Sequence, residues 1–213
     1  MLCANATAIP VFLTMEEPLT PACSDEGALD HSLMARIGAG DHQAFRELVE
    51  RHQNAVIGTV AKMLGNSSEA EDISQQVFLR IWRNAKRYRP EAKFTTYLFT
   101  ITRNLVFNET RRRGRKKEVS ADEREENSHH LIEDSPDRQP DAEILQAELQ
   151  RAVDDAIASL PEAQRVAVVL RRYEQLPYEE IAEVLGLSLS AVKSLLFRAR
   201  TTLREALSGY LES

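Results

Sequence analysis

A segment near the C-terminal end of the sequence has the residue spacing that a helix-turn-helix requires. It runs from Tyr178 to Leu203, and in it Gly186 follows Ala182 by four residues and Val192 follows Gly186 by six. Alanine lets two helices approach closely, glycine can take the left-handed conformation of the turn, and valine packs back onto the first helix. These positions therefore predict two helices joined by a tight turn.

The second helix of this unit would present hydroxyl and cationic groups to solvent. The small core of the unit is expected to include Ile181, Leu185, Leu187 and Leu195. With Val192 turned inward, helical geometry directs outward Ser190, Lys193, Ser194, Phe197, Arg198, Thr201 and Arg204. Such groups suit base edges and phosphates. We therefore predict DNA binding, and the alternative is a helical hairpin with a solvated basic face.

A second group of residues places aromatic rings among bases on a helix that we expect from Phe94 to Arg113. The inward side would carry Leu98, Ile101 and Leu105. The opposite side would carry Thr96, Thr100, Arg103, Phe107 and Arg111, with Tyr97 and Asn104 on a flank. Rings beside cations can stack on unpaired bases, and the basic tract 111–117 suits phosphates. The residues alone leave open a second interpretation, in which the rings pack inside the protein and the arginines form a solvated helix end.

No pattern for catalysis accompanies these two groups in the sequence. Cys3 and Cys23 both lie in the N-terminal stretch, and His129 and His130 have no further ligand at metal-binding spacing. The sequence has no nucleophile–base pair and no glycine-rich phosphate loop. We therefore expect no cofactor and no metal, a protein that acts by contact and is not an enzyme, and, from the few cysteines, a cytoplasmic location.

Helices must position both groups, and apolar spacing predicts helices along most of the chain. Residues 30–64 are expected to be helical, with Asp41 as the N-cap of a long helix that ends at Gly65. Ser68 and Glu71 predict a capping box that opens a third helix. No alternating strand pattern is present, so the fold class is predicted to be all-α, with two small helical domains.

Charge divides the chain into blocks. The 213 residues have a net charge of −6, yet residues 30–117 carry an excess of bases and residues 118–144 an excess of acids. An acidic stretch with Pro136 and Pro140 cannot bury a core. The predicted organisation is a disordered tail (1–27), a first helical domain (28–114), a flexible acidic linker (115–140) and a helix-turn-helix domain (141–211). No apolar run of about 18 residues occurs and no secretory signal is expected, so we predict no membrane association.

Four segments, in this order, resemble the extracytoplasmic-function sigma factors, small members of the sigma-70 family of bacterial RNA polymerase. The family's first conserved helix is similar to AFRELVERHQNAV (44–56), and its polymerase-clamp helix to AEDISQQVFLRIWR (70–83). Its minus-10 region is similar to RYRPEAKFTTYLFTITRNLVFNETRRR (87–113), and its minus-35 region to residues 159–205. The resemblance covers roughly residues 28–211. It implies a sigma factor that binds core polymerase, recognises the minus-35 element and melts the minus-10 element.

The resemblance also implies roles for single positions. The clamp helices of the polymerase largest subunit would be faced by Asp72, Gln75, Gln76 and Arg80. A minus-10 base flipped out of the duplex would be held by Tyr88 and Asn104, and the melted strand bordered by Phe94, Thr95, Thr96 and Tyr97. The cations and ring of the same helix complete this set with Arg103, Phe107, Arg111, Arg112 and Arg113. The minus-35 set is Ser190, Lys193, Ser194, Phe197 and Arg198.

Two positions depart from the family pattern. Gln76 stands where the family usually has an acid, which leaves the affinity for the clamp open. Tyr97 stands where relatives often carry tryptophan, which leaves the base preference open. The implied partners are bacterial core RNA polymerase, promoter DNA and an anti-sigma factor, and the acidic linker would thread toward the polymerase active centre.

Two other classes of protein compete with this interpretation. A helix-turn-helix regulator would bind duplex DNA as a dimer and use residues 30–113 as a sensor or dimer domain, although the outward Phe107 and the basic tract 111–117 argue against a sensor. A helical adaptor would bind proteins only. Binding to core polymerase separates the first alternative, and a mobility shift of promoter DNA with polymerase separates the second.

Overall fold

The structure, a computed structural model, describes residues 24–65, 68–119 and 140–211, and no strand occurs among them. The all-α class is therefore confirmed. The helices, in chain order, are α1 (Ser24–Gly38), α2 (His42–Leu64), α3 (Ala70–Asn84), a single 3₁₀ turn (Ala85–Arg87), α4 (Phe94–Val119), α5 (Pro140–Ser159), α6 (Glu162–Arg172), α7 (Tyr178–Leu185), α8 (Leu189–Ala206) and α9 (Ser208–Leu211). None of the described helices is long and apolar enough to cross a bilayer.

Local capping chemistry fixes both ends of the long helix α2. The Asp41 carboxylate accepts hydrogen bonds from the backbone N–H groups of Gln43 (2.8 Å) and Ala44 (3.1 Å). These bonds and the Arg36 guanidinium, 2.8 Å away, hold the pKa of Asp41 below its usual range. At the other end Gly65 takes the left-handed conformation (φ 66°) and its N–H reaches the carbonyl of Ala61. Both predicted caps are confirmed.

The N-terminal helices α1 to α4 enclose one apolar core. Leu33 of α1, Leu48 and Val60 of α2, Ile81 of α3 and Leu98 of α4 are all fully buried. Burying a side chain of this size contributes about 1.5–3 kcal/mol. One side of α3 and one side of α4 supply this core. The other side of α3 is exposed, whereas α7 packs against α4.

The C-terminal helices α5 to α8 pack around α6, whose residues 166–170 are all buried. Their apolar core is continuous with that of α1 to α4. Val192 of α8 is fully buried and Ala182 of α7 is nearly so, as the helix-turn-helix pattern predicted. Gly186 between them has φ 66° and ψ 37°. The expected core of this unit is wrong at one position, because Leu187 follows the turn on its outer side and keeps 42% of its surface exposed.

Three helix ends differ from the sequence prediction. Helix α1 begins at Ser24, inside the predicted tail 1–27. Helix α3 begins at Ala70 with Glu69 in the N-cap position, one residue after the predicted N-cap Ser68, and the Glu69 side chain makes no capping hydrogen bond. Helix α4 continues through Gly114 to Val119, inside the predicted linker, because the strong helix formers around that glycine outweigh its cost of about 1 kcal/mol. The remainder of the predicted tail (1–23) and of the linker (120–139), with both cysteines and His129–His130, lies outside the described residues.

Replacing Gly186 with alanine should destabilise the C-terminal unit by about 1–2 kcal/mol, since a side chain at positive φ is strained. A Cβ at this position meets no atom within 4 Å, so the cost is conformational and not steric. Gly58→Ala is the matched control: Gly58 lies inside α2, also in open space, and alanine there should stabilise by about 0.5–1 kcal/mol. Thermal unfolding measures both, and shifts of the same sign would contradict the left-handed turn.

Candidate nucleic-acid interface

The turn before α8 sets the direction of its first residues. Ser188 is extended (φ −73°, ψ 154°), and its hydroxyl accepts a hydrogen bond from the backbone N–H of Ala191 at 3.2 Å. Burial of Val192 and Leu196 then fixes which side of α8 faces inward. The N-terminal turns of α8 therefore project from the surface, as the recognition helix of a helix-turn-helix must.

The outward side of α8 is exposed at every position that the helical wheel predicted. It consists of Ser190, Lys193, Ser194, Phe197, Arg198, Thr201 and Arg204. Among the described residues no ion pair involves Lys193 or Arg198, so both cations are available to bases or phosphates. Phe197 stands out because 68% of its surface is exposed, which is unusual for a large apolar ring. This side of α8 can therefore offer cations, hydroxyls and one ring to a groove.

An aromatic cluster lies at the start of α4. It consists of Tyr88, Phe94 and Tyr97, with ring centres 5.0 Å apart for the two tyrosines and 6.3 Å from each tyrosine to Phe94. Phe94 is only 1% exposed and lies beneath the tyrosines, whereas both tyrosines are half-buried at the surface. Of the three rings, therefore, the tyrosines are the ones that a base can reach.

His31 of α1 belongs to this cluster, and the sequence did not indicate it. Its Nδ1 lies 2.8 Å from the Tyr88 hydroxyl oxygen in a hydrogen bond. Its neighbour Asp30 is buried and accepts hydrogen bonds from Arg51 (3.2 Å) and His52 (3.1 Å), which fasten α1 to α2. Burial, with Tyr97 and Asp30 nearby, raises the pKa of Tyr88 to about 12, so its hydroxyl stays protonated. No motif spacing joins α1 to this site, and only the fold brings them together.

The side of α4 that was predicted to face outward is partly covered by α7. Arg103 donates through Nε (3.1 Å) and a terminal nitrogen (2.6 Å) to the Val184 carbonyl, and burial lowers its pKa. Thr96 is 4% exposed. Phe107 is half-buried under the Arg103 guanidinium, 5.3 Å from ring centre to charge. The expectation of a solvent-facing row is therefore wrong for Thr96 and Arg103, because a helix distant in sequence packs on them. Thr95 is half-buried, and Asn104 on the flank is exposed.

Two of the three consecutive arginines are already paired with acids. Arg112 bridges to Glu109 at 2.7 Å, and Arg113 bridges to Glu69 at 3.0 Å and to Glu109 at 3.3 Å. The hydrogen bond from Arg112 is the largest cause that lowers the pKa of Glu109 to about 2. Arg111 is exposed, and no ion pair involves it within the described ranges. Of the three arginines, Arg111 is therefore the most available to bind a phosphate.

Replacing Arg111 with glutamine should flatten the salt dependence of DNA affinity by about 0.9 in log–log slope, the value for one lost phosphate contact on duplex DNA. The matched control, Arg112→Gln, removes the same charge from a guanidinium that serves Glu109, so a smaller change is expected. Equilibrium binding between roughly 50 and 200 mM salt measures both slopes. Equal changes in the two variants would contradict the assignment.

The outer side of α3 forms a separate polar surface. Its exposed residues include Asp72, Gln75, Gln76 and Arg80, the four predicted polymerase contacts. Leu79 lies among them with 49% of its surface exposed, and the sequence analysis did not single it out. A single exposed leucine is common on protein surfaces, so Leu79 alone does not identify a partner. In the described part of the chain no cluster of three or more His, Cys, Asp or Glu residues could hold a metal.

Comparison with known proteins gives two family matches and close relatives. Residues 48–116 match the model of sigma-70 region 2, and residues 150–203 match that of sigma-70 region 4. The chain is 34% identical over 188 residues to the RNA polymerase sigma-H factor of Pseudomonas aeruginosa, covering 85% of this chain and 95% of that protein. It is also 34% identical over 181 residues to the ECF RNA polymerase sigma-E factor of Haemophilus influenzae, covering 82% and 93%.

A solved structure with the same fold is that of the sigma factor RpoE from Bartonella quintana, in complex with the anti-sigma factor NepR. It superposes with a TM-score of 0.64 at 24% identity and covers 77% of this chain and 96% of that one. The likeness extends over both helical units, so the arrangement of α1 to α4 followed by α5 to α8 has an experimental counterpart.

Proposed function

The chain belongs to the sigma-70 family as an extracytoplasmic-function sigma factor, which directs promoter-specific initiation by bacterial RNA polymerase, and from that premise we propose how its described residues divide the work. Three surfaces are assigned: the outer side of α3, the start of α4 with the aromatic cluster, and the outward side of α8. The proposed domain boundaries are 28–114 for region 2, 115–140 for the linker and 141–211 for region 4. Helix α1 extends region 2 back to Ser24.

The outward side of α8 reads the minus-35 element in the major groove. Lys193 and Arg198 carry the charge, Ser190 and Ser194 supply hydroxyls, and Phe197 supplies an apolar contact. The observation that carries this proposal is the exposure of this complete set next to the left-handed turn at Gly186. A solvated hairpin would not need a ring as exposed as Phe197 in the middle of such a surface.

The start of α4 holds the minus-10 strand. Tyr88 and Asn104 hold a flipped base, Thr95 and Tyr97 border the strand, and Arg111 takes a phosphate. Extruding a base costs a few kcal/mol, and stacking on an aromatic ring returns about 1–3 kcal/mol per base. Phe94 acts from below by supporting the tyrosines. Arg112 and Arg113 serve chiefly to brace the end of α4 against Glu109 and Glu69.

The outer side of α3 binds core polymerase through Asp72, Gln75, Gln76 and Arg80, with Leu79 as an apolar contact between them. The chain works by contact alone and carries out no covalent chemistry of its own. It acts in the cytoplasm, where its polymerase partner is. An anti-sigma factor is a further partner, by analogy with the NepR complex of the Bartonella protein.

The test combines the purified chain with bacterial core polymerase and a genomic fragment library, followed by sequencing of transcript 5′ ends. Starts that share two sequence elements, and that are absent with core polymerase alone, are expected. Failure to associate with core polymerase would contradict the proposal. A shift of duplex DNA without polymerase, together with that failure, would support a dimeric regulator instead.

A further inference from the structure

Helix α7 places an acidic group on the strand-binding side of α4. The Glu180 carboxylate lies 2.6 Å from the ammonium group of Lys93, and Lys93 is the residue immediately before α4. The Thr96 hydroxyl donates to the other oxygen of the same carboxylate at 3.4 Å. One carboxylate therefore binds a lysine and a threonine that flank the aromatic cluster at its α4 end.

The end of α7 occupies a second position on the same side of α4. The Val184 carbonyl, in the last turn of α7, accepts both hydrogen bonds from Arg103. The C-terminal end of a helix carries partial negative charge. One carboxylate and one carbonyl oxygen of α7 thus accept from three donors on one side of the α4 segment, namely Lys93, Thr96 and Arg103.

This arrangement has the chemistry of a bound nucleic-acid strand. A phosphodiester, like a carboxylate, is an oxygen-rich monoanion that ammonium, guanidinium and hydroxyl donors bind. We propose that Lys93 is a phosphate ligand for the separated promoter strand, and that α7 competes with that strand for Lys93, Thr96 and Arg103. The proposal rests on the proposed function, because it assigns the strand to this side of α4.

The two units also share a continuous apolar core and further polar contacts. Lys62 of α2 reaches Asp154 of α5 at 3.4 Å and lies 4.3 Å from the centre of the Tyr173 ring. The Thr59 hydroxyl donates to the Glu174 carboxylate. The Lys62–Asp154 pair is partly exposed, and a pair of this type contributes little. Thr59 is buried and Glu174 is half-buried, so the proposed competition concerns the contacts of α7 with α4 and not this bond. The outward side of α8 remains exposed in the same arrangement, so only the strand-binding side of α4 is masked.

A carbodiimide cross-link tests the contact directly in the unaltered full chain. Lys93 and Glu180 are close enough for a zero-length amide bond, which peptide mass spectrometry identifies. We expect this bond in the free protein, and we expect its yield to fall as a single-stranded DNA 20-mer of mixed sequence is added. A duplex of the same sequence and concentration should protect less. Absence of the bond, or an unchanged yield at saturating single strand, would overturn the proposal.

Matched charge variants test the competition by affinity. Glu180→Gln should bind the fluorescent 20-mer about 2–5-fold more tightly than the unaltered chain, the gain from breaking one partly exposed ion pair. Glu179→Gln, the neighbouring exposed acid, removes the same charge and should change affinity less. In the Glu180→Gln background, Lys93→Gln should then lower the salt slope by about 0.7, the value for one phosphate contact on a single strand.

The outcomes separate this inference from the proposed function. Equal affinities for Glu180→Gln and Glu179→Gln, or no effect of Lys93→Gln, would overturn the competition even if transcription with core polymerase proceeds normally. Failure of the unaltered chain to start transcription would instead contradict the proposed function, whatever the cross-link shows. Circular dichroism of each variant checks that its helices are retained.

Discussion

Phe94→Ala should lower the free energy of unfolding of the N-terminal unit by about 3–5 kcal/mol, the usual cost of removing a buried phenyl ring. The ring is 1% exposed and packs against His52 (5.2 Å between ring centres) as well as the two tyrosines of the aromatic cluster. Alanine would leave a cavity beneath Tyr88 and Tyr97. Denaturant unfolding followed by fluorescence of Trp82, the single tryptophan, reports on this unit because Trp82 lies on α3.

Two variants separate support of the cluster from contact with the strand. Phe94→Leu keeps most of the volume and should cost less than about 1.5 kcal/mol. Tyr97→Leu acts at the half-buried edge of the cluster. It should reduce open-complex formation by the holoenzyme, and it should lower the free energy of unfolding less than Phe94→Ala does. If Phe94→Ala kept full stability and lost only strand binding, Phe94 would contact the strand itself, as the family resemblance implied.

Features that depend on neighbouring residues could be predicted from the sequence. The Asp41 cap needs only a carboxylate and the next helical N–H groups, and the turn at Gly186 needs only a residue tolerant of positive φ. The outward side of α8 follows from a helical period once Val192 is placed inside. The same local rule could have indicated the pairing of Arg112 and Arg113 with Glu109, three and four residues earlier.

Features that depend on packing between distant segments could not be predicted. Arg103 and Val184 are 81 positions apart, and His31 and Tyr88 are 57 apart. A helical wheel assigns Arg103 to the side away from the core of its own unit, which is correct, but it contains no information on what the second unit covers. The outer sides of α3 and α8, which are proposed to contact polymerase and the minus-35 element, are exposed as expected because nothing else in the described chain packs on them. The side of α4 that is proposed to hold the minus-10 strand differs from the expectation, since Lys93, Thr96 and Arg103 contact α7 of the second unit.

Arg198→Ala should reduce minus-35-dependent transcription by about 5- to 150-fold, because a guanidinium that contacts a base edge contributes about 1–3 kcal/mol. Arg198 is exposed on α8 one turn after Ser194, and within the described residues it takes part in no ion pair, so its removal leaves no partner unsatisfied. Run-off transcription by the reconstituted holoenzyme measures the loss.

The control for Arg198 lies on the same helix. Arg204→Ala removes an identical charge from the exposed last turn of α8, where a recognition helix has left the base edges, so only a small loss is expected. A second control replaces the minus-35 element of the promoter: since Arg198 would then have no base to recognise, its substitution should matter little. Equal losses for the two arginines would show that α8 contributes charge without reading sequence. A loss for Arg198 that persists on the altered promoter would place its role outside the minus-35 element.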